Sequence, residues 1–226
     1  MNIEERVALA GRVAEAVPEG AYLNLGIGLP TLVANRLGTE DKEVILHTEN
    51  GVLGRWIDAP EGEQDSDLIN AGKVPIKLLP GAAFFHHADS FSMMRGGHLD
   101  ICVLGAFQVS ASGDLANWHT GDPQAVPAVG GAMDLAIGAQ QIFVMMDHVD
   151  RQGKPKIVRT LTYPPTGLGC VTRIYTNMGT FEPIQHGSKV KALYINPELT
   201  FDQVQQQTGV EIDFSMLSET CRGSSL

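Results

Sequence analysis

The chain has 226 residues, 43% of them hydrophobic, enough for one domain with a sizeable core. Its net charge of −10, with no run of Lys or Arg, excludes a nucleic-acid backbone as the partner, because that surface is bound by clustered cations. No stretch approaches the ~20 apolar residues of a membrane span. The three cysteines, Cys102, Cys170 and Cys221, are far apart and odd in number, so they form no closed disulfide framework and are expected to be structural. The opening "MNIEERVALAGRVAEAV" carries early acids and no apolar signal region, so a cytoplasmic, reducing location is expected.

In chain order, Ile3, Val7, Ala10, Val13, Ala14 and Val17 recur at helical spacing, so residues 3–16 read as an amphipathic helix, ended by Pro18-Glu19-Gly20. "AYLNLG" (21–26) reads as a strand, "GIGLP" as a turn and "TLVANRL" (31–37) as a helix with Pro30 near its first turn. "EVILHT" (43–48) is the next strand. This order predicts an α/β fold with an open, largely parallel sheet flanked by helices, and additional strands in the C-terminal half. Residues 55–73 are polar and acidic and read as a solvated loop. "VPIKLLP" and "DICVLGAFQVS" read as strands, with a short helix near 132–138. "QQIFVMMDH" hardly alternates and reads as a strand buried on both faces. "KIVRTLTY", "CVTRIYTN", "TFEPI" and "KVKALYIN" read as further strands, and residues 200–209 as a final helix ending at Gly209. No linker or repeat is visible, so residues 1–226 are expected to form one domain, with a candidate flexible tail from about 215 to 226.

Four stretches carry candidate chemistry. In "LHTENGVLG" a carboxylate, Glu49, follows an apolar run and precedes the turn-forming pair Asn50-Gly51. A solvated turn residue is one reading. A nucleophile projecting from the carboxyl edge of an α/β sheet is the other, with Gly51 leaving room for a substrate. "NLGIGLPT" (24–31) begins like a dinucleotide fingerprint, but Thr31 stands where the third glycine belongs. It can be an anion or oxyanion cradle, or a plain tight turn. In "LPGAAFFHHADSFSMMRGGHLD" (79–100), His86, His87, Asp89 and His98 invite a metal. Adjacent histidines on an extended chain point to opposite faces, however, and the spacing to His98 matches no metal motif. In "AVGGAMD" (128–134), Gly130-Gly131 opens a helix and presents N–H groups. Two glycine turns and a strand-end carboxylate together suit acyl chemistry. Lys73 after "INAG" could pair with a phosphate or be a solvated surface lysine.

"LHTENGVLG" resembles the second signature of the family I CoA-transferases, in which the Glu of Ser-Glu-Asn-Gly is the nucleophile. "NLGIGLPTLVAN", "DLINAGK", "GAFQVSASGDLANW" and "GGAMDLAIGA" are similar to that family's β subunits, in the same order, from about Val7 to about Ile212. The resemblance implies Glu49 as nucleophile. It implies Asn24, Gly26, Gly28, Asn50, Gly130, Gly131 and Ala132 around the oxyanion and acyl pocket, and Lys73 as a contact for CoA. It further implies CoA transfer from succinyl-CoA to a 3-oxo acid, with 3-oxoadipate leading and acetoacetate as the alternative. CoA would then be a substrate, with no resident cofactor or metal. A homologous A (α) subunit, in an α₂β₂ assembly, would complete the site. Thr48 replaces the usual Ser, Pro165 replaces a more usual Leu, and the loop from Arg55-Trp56 departs from the common pattern. Two other classes compete: a metal-dependent hydrolase or lyase on His86, His87 and His98, and a non-catalytic sensor of CoA or sugar phosphate.

Overall fold

A computed structural model describes residues 1–38, 42–70, 72–128, 130–184 and 187–217. Cys221 and most of the expected tail lie outside the described residues. These residues group into two compact units, each assembled from separated segments: Asn2–Gly105 with Gly131–Ile142, and Ala106–Gly130 with Phe143–Leu226, which also takes Met1. Neither unit is one continuous stretch, which is why no linker is legible in the sequence.

The first unit opens with α1 (Ile3–Ala16), whose start is closed by a capping box between Asn2 and Glu5. Its buried stripe is Leu9, Ala10, Val13 and Ala14. Ile3 and Val7, expected on that stripe, are exposed. The stripe instead follows the Leu9–Val13 spacing of one helical turn. β1 (Tyr22–Leu25) lies between β2 (Ile45–His47) and β7 (Ile101–Leu104), parallel to both. A tight 3-10 turn, Leu29–Thr31, leads into α2 (Leu32–Leu37). The parallel centre and the helices give the expected α/β class.

Beyond β2 the ladder turns antiparallel through β3 (Val52–Gly54) and, after the ribbon β4 (Trp56–Asp58) and β5 (Ile76–Leu78), β6 (Ala83–Phe84), so the order is β7-β1-β2-β3-β6. β4 falls in the stretch read as pure loop. Trp56 is buried there, whereas Glu61, Glu63, Asp65 and Asp67 are exposed as expected.

The stretch with the histidines is not extended: it forms α3 (His87–Arg95), capped by the His86 side chain, whose Nδ1 accepts from the Ala88 N–H. Its buried positions are Ser90 and Met94, one turn apart, and the serine hid the apolar period from the sequence. "DICVLGAFQVS" is not one strand either. β7 ends at Leu104, and β8 (Gln108–Ser110) begins after a break and belongs to the second unit.

α4 (Ala132–Gly138) packs closely on α3. A Cβ on Gly138 would lie 1.9 Å from the Met94 carbonyl oxygen. That atom is backbone and cannot step aside, so Gly138→Ala is expected to cost about 2–3 kcal/mol of stability, read from the urea midpoint.

In the second unit, β9 (Leu115–Ala116) is antiparallel to β8, and β11 (Ile157–Val158) is parallel to it. β10 (Gln141–Met145), almost wholly buried, leads into this unit. β12 (Val171–Tyr175), β13 (Gly179–Pro183) and β14 (Lys189–Ile195) form an antiparallel run. The last helix, α5 (Phe201–Gln206), is shorter than expected and is followed by β15 (Glu211–Asp213), a strand parallel to β14 that short length concealed. The expected strand "KIVRTLTY" is reduced to β11. His148 is fully buried here, with Nδ1 and Nε2 on the hydroxyls of Thr176 (2.9 Å) and Thr208 (2.8 Å).

Candidate active site

The register of three parallel strands sets the floor of the site. Asn24 on β1 is aligned with His47 on β2 and with Cys102 on β7. Aligned residues on parallel strands project from the same face, so these three side chains form a row near the carboxyl ends of the strands. The row is hydrogen-bonded. Asn24 Nδ2 lies 3.0 Å from His47 Nδ1 and donates to the His47 carbonyl at 3.2 Å. Cys102 Sγ donates to Asn24 Oδ1 at 3.7 Å. From α3, Ser90 Oγ reaches His47 Nε2 at 3.1 Å and the Thr48 carbonyl at 3.2 Å.

His47 and Ser90 carried no signal in the sequence. An imidazole at a strand end reads like any other polar residue until its neighbours are known. Burial holds the His47 pKa down at about 4, outweighing the opposing hydrogen bond to the Ser90 backbone, so the ring is neutral near neutral pH. Burial does the same to His148, also to about 4.

The unfolded chain binds more protons than the fold between those values and the ordinary 6.5. The stability each ring contributes is therefore fully present above about pH 6.5. It is lost as pH falls through about 4, at roughly 3 kcal/mol per ring. Urea midpoints should fall over that window, and the fall should shrink in His148→Gln.

β2 and β3 are joined by the turn that carries Glu49. Thr48 and Val52 close it: the Thr48 N–H donates to the Val52 carbonyl, and the Val52 N–H donates to Thr48 Oγ1, both at 2.9 Å. The hydroxyl that Thr48 shares with the more usual Ser is thus the neck of the hairpin. Glu49, Asn50 and Gly51 form a three-residue loop, with the Gly51 N–H on the Thr48 carbonyl. Only Gly51 of the three takes a positive φ, +108°, and a Cβ there would stand 2.3 Å from the Phe85 carbonyl oxygen. The glycine therefore serves the backbone approach to Phe85. Asn50 Nδ2 donates to the Ile69 carbonyl at 2.8 Å, tying the turn to the long loop.

Glu49 is half-buried and points at the start of α4. A Cβ built on Gly131 would lie 2.6 Å from Glu49 Oε2 and 3.5 Å from the edge of the Phe91 ring. The missing side chain of Gly131 is the space the carboxylate occupies. Arg95 at the end of α3 pairs with Asp134 of α4 (2.7 Å), holding together the two helices that supply Phe91 and Gly131. Two residues named from sequence at 82 positions' separation, Glu49 and Gly131, are thus neighbours.

The other expected residues are placed as follows. Asn24 is buried, with both Nδ2 contacts going to His47. The Gly26 N–H is taken by the Val103 carbonyl at 2.8 Å. Gly28, at φ +89°, starts the 3-10 turn, and its carbonyl accepts from the N–H and hydroxyl of Thr31. Gly130 is exposed and belongs to the other unit, and Ala132 begins α4 half-buried. Lys73 is exposed in a left-handed conformation (φ +62°), in a turn held by Asn70. Thr31, His47, Thr48, Trp56, Asn70 and Gly72 border a small, open cleft. Pro165 offers only its carbonyl, to the Trp118 indole N–H, a contact any residue could make.

The histidines do not converge. His86 caps α3, His87 meets Phe91 edge-on, and His98 is exposed beyond the helix. Among the described residues no three of His, Cys, Asp and Glu are grouped to hold a metal ion, which leaves the hydrolase alternative without a donor set. Cys102 is fully buried, and burial pushes the Cys170 thiol up to about 11, which keeps it in the unreactive thiol form.

The model of the coenzyme A transferase family matches residues 6–207. The chain belongs to the coenzyme A transferase family. Within it, the chain is 60% identical over 207 residues to the B subunit of 3-oxoadipate CoA-transferase from Pseudomonas putida, covering 92% of this chain and 95% of that one. It is 42% identical over 208 residues to the B subunit of succinyl-CoA:3-ketoacid coenzyme A transferase from Helicobacter pylori, covering 92% and 98%. Among solved structures, an acyl-CoA transferase from E. coli O157:H7, crystallised as a thioester complex with CoA, superimposes with a TM-score of 0.70 at 19% identity. That likeness covers 96% of this chain and 44% of the other, so this chain spans less than half of that larger protein, and it speaks for the fold alone. The chain is thus a CoA-transferase β subunit of the 3-oxoadipate and succinyl-CoA:3-ketoacid type.

Proposed function

We propose that this chain carries the nucleophile of a transferase that moves CoA from succinyl-CoA to 3-oxoadipate. The observation that carries the reading is the Glu49 carboxylate set against Gly131 at the tip of the β2–β3 hairpin. Glu49 attacks the thioester carbonyl, the C–S bond breaks, and a mixed anhydride and CoA thiolate result. The thiolate then attacks the Glu49 side-chain carbonyl. This yields a γ-glutamyl-CoA thioester and frees succinate. The 3-oxo acid carboxylate reverses these steps and leaves with CoA.

A carboxylate suits this chemistry because each intermediate stays activated, whereas a serine would stop at an ester. Each attack builds an oxyanion, and a main-chain donor there is worth about 3 kcal/mol. Gly130, Gly131 and Ala132 are proposed to line that acyl pocket, and Lys73 to meet the phosphates of CoA. Water must be excluded or the intermediates hydrolyse, which fits a half-buried Glu49 better than a solvated turn would.

The relatives named as B subunits imply a homologous A-type chain as partner for this one. An α₂β₂ assembly in the cytoplasm is the form we propose. No helix among the described residues is long and apolar enough to cross a membrane. With the A-type partner present and succinyl-CoA as donor, turnover of 3-oxoadipate should exceed that of acetoacetate by at least about 10-fold in kcat/KM, the equivalent of ~1.4 kcal/mol of transition-state binding. A preference for acetoacetate would move the assignment to the 3-ketoacid enzymes.

A further inference from the structure

The buried row beneath Glu49 has an arrangement of protons that satisfies each of the hydrogen bonds described above. The Cys102 thiol donates to Asn24 Oδ1. The two Asn24 Nδ2 hydrogens go to His47 Nδ1 and to the His47 carbonyl. His47 Nε2 then carries the ring hydrogen and donates to Ser90 Oγ, and the Ser90 hydroxyl donates to the Thr48 carbonyl. A protonated ring would turn Nδ1 into a donor facing the Asn24 amide and break the chain. The row ends on the carbonyl of the peptide that bears Glu49.

Burial of this kind needs a reason. Asn24, His47, Ser90 and Cys102 are each at most 4% exposed. Adjacent inward positions on parallel strands are usually aliphatic, and a buried polar chain stabilises a fold no better than aliphatic packing unless every group is satisfied. What it adds is directional constraint. Ser90 also sits one residue before Phe91, whose ring edges the space at Gly131 where the Glu49 carboxylate lies. The same helix thus fixes the main chain of the nucleophile and one wall of its pocket.

We propose that His47 and Ser90 are positioning residues for the Glu49 nucleophile: neutral His47 orients the Ser90 hydroxyl, which locks the Thr48–Glu49 peptide. The proposal rests on the covalent role of Glu49 stated above. It applies to the step in which the carboxylate meets the thioester, since a misplacement of about 1 Å there costs about 100-fold in rate.

The test uses the complex of this chain with its A-type partner. Single-turnover formation of the Glu49 adduct from succinyl-CoA, steady-state kcat and KM, and thermal midpoints are measured for Ser90→Ala, His47→Phe and His47→Gln. Phe keeps a ring beside Phe85, where the imidazole now stacks, but makes no hydrogen bond. Gln can accept from Asn24 and donate to Ser90. His47→Phe should slow adduct formation about 100-fold and Ser90→Ala about 10-fold, with KM for both substrates within about 2-fold of wild type. His47→Gln should recover to within about 5-fold of wild type, because the donor and acceptor are restored.

Unchanged adduct rates in Ser90→Ala and His47→Phe overturn the proposal. So does a Gln variant as slow as the Phe variant, with losses that simply follow the thermal midpoint, since that is a structural role. If the wild-type complex transfers CoA with no adduct on Glu49, the covalent reading itself falls and takes this proposal with it.

Discussion

Glu49→Gln is expected to lower CoA transfer by about 10⁴-fold or more while leaving the fold intact, as removal of a covalent nucleophile does elsewhere. The amide has nearly the shape of the carboxylate, so it fits beside Gly131 and Phe91, and the hairpin contacts of Thr48, Asn50 and Gly51 are untouched. What it lacks is the anionic oxygen proposed to attack the thioester and the capacity to become an anhydride. The check is twofold: transfer by the purified complex, and trapping of a Glu49 adduct with hydroxylamine or borohydride in the presence of acyl-CoA. Full activity in the variant would falsify the assignment of the nucleophile.

Gly131→Ala should lower kcat by upwards of about 100-fold, because Glu49, if shifted by about 1 Å, would lose the line of attack proposed for it. The new methyl would fall 2.6 Å from Glu49 Oε2, well inside van der Waals contact, and 3.5 Å from Phe91, which is ordinary contact. The carboxylate must therefore move, whereas Phe91 need not. Gly131 has φ −69° and starts α4, so alanine is not strained there and the helix should persist. A kcat loss with an unchanged thermal midpoint is the expected pattern. Loss of stability with wild-type kcat would mean that the carboxylate has another place to go.

Much of this protein is legible in its sequence. Local pattern suffices for α1, β1, α2 and β2, because a capping residue, an apolar period and a Gly or Pro stop are all local features. Glu49 is a candidate on similar grounds, since a strand, a carboxylate and Asn-Gly lie within a few residues, and the resemblance of several motifs in succession singles it out. Elements failed to show where polar residues do buried work. Ser90 interrupts the apolar period of α3, and β4 is three residues within an acidic stretch. β15 is short enough that its pairing with β14, and not its composition, makes it a strand.

The chain's own order of residues determined the family and the class of fold and singled out Glu49 as the proposed nucleophile, since these reside in contiguous motifs and their succession. Only the tertiary structure decided which side chains gather beside the hairpin that carries it. Asn24, His47 and Cys102 become neighbours through the register of three parallel strands, and Ser90 joins them from a helix whose packing is long-range. Gly131 meets Glu49 across 82 residues of chain for the same reason. Register and helix packing are settled by the burial of the whole unit, a sum over many distant contacts that no single stretch of sequence contains.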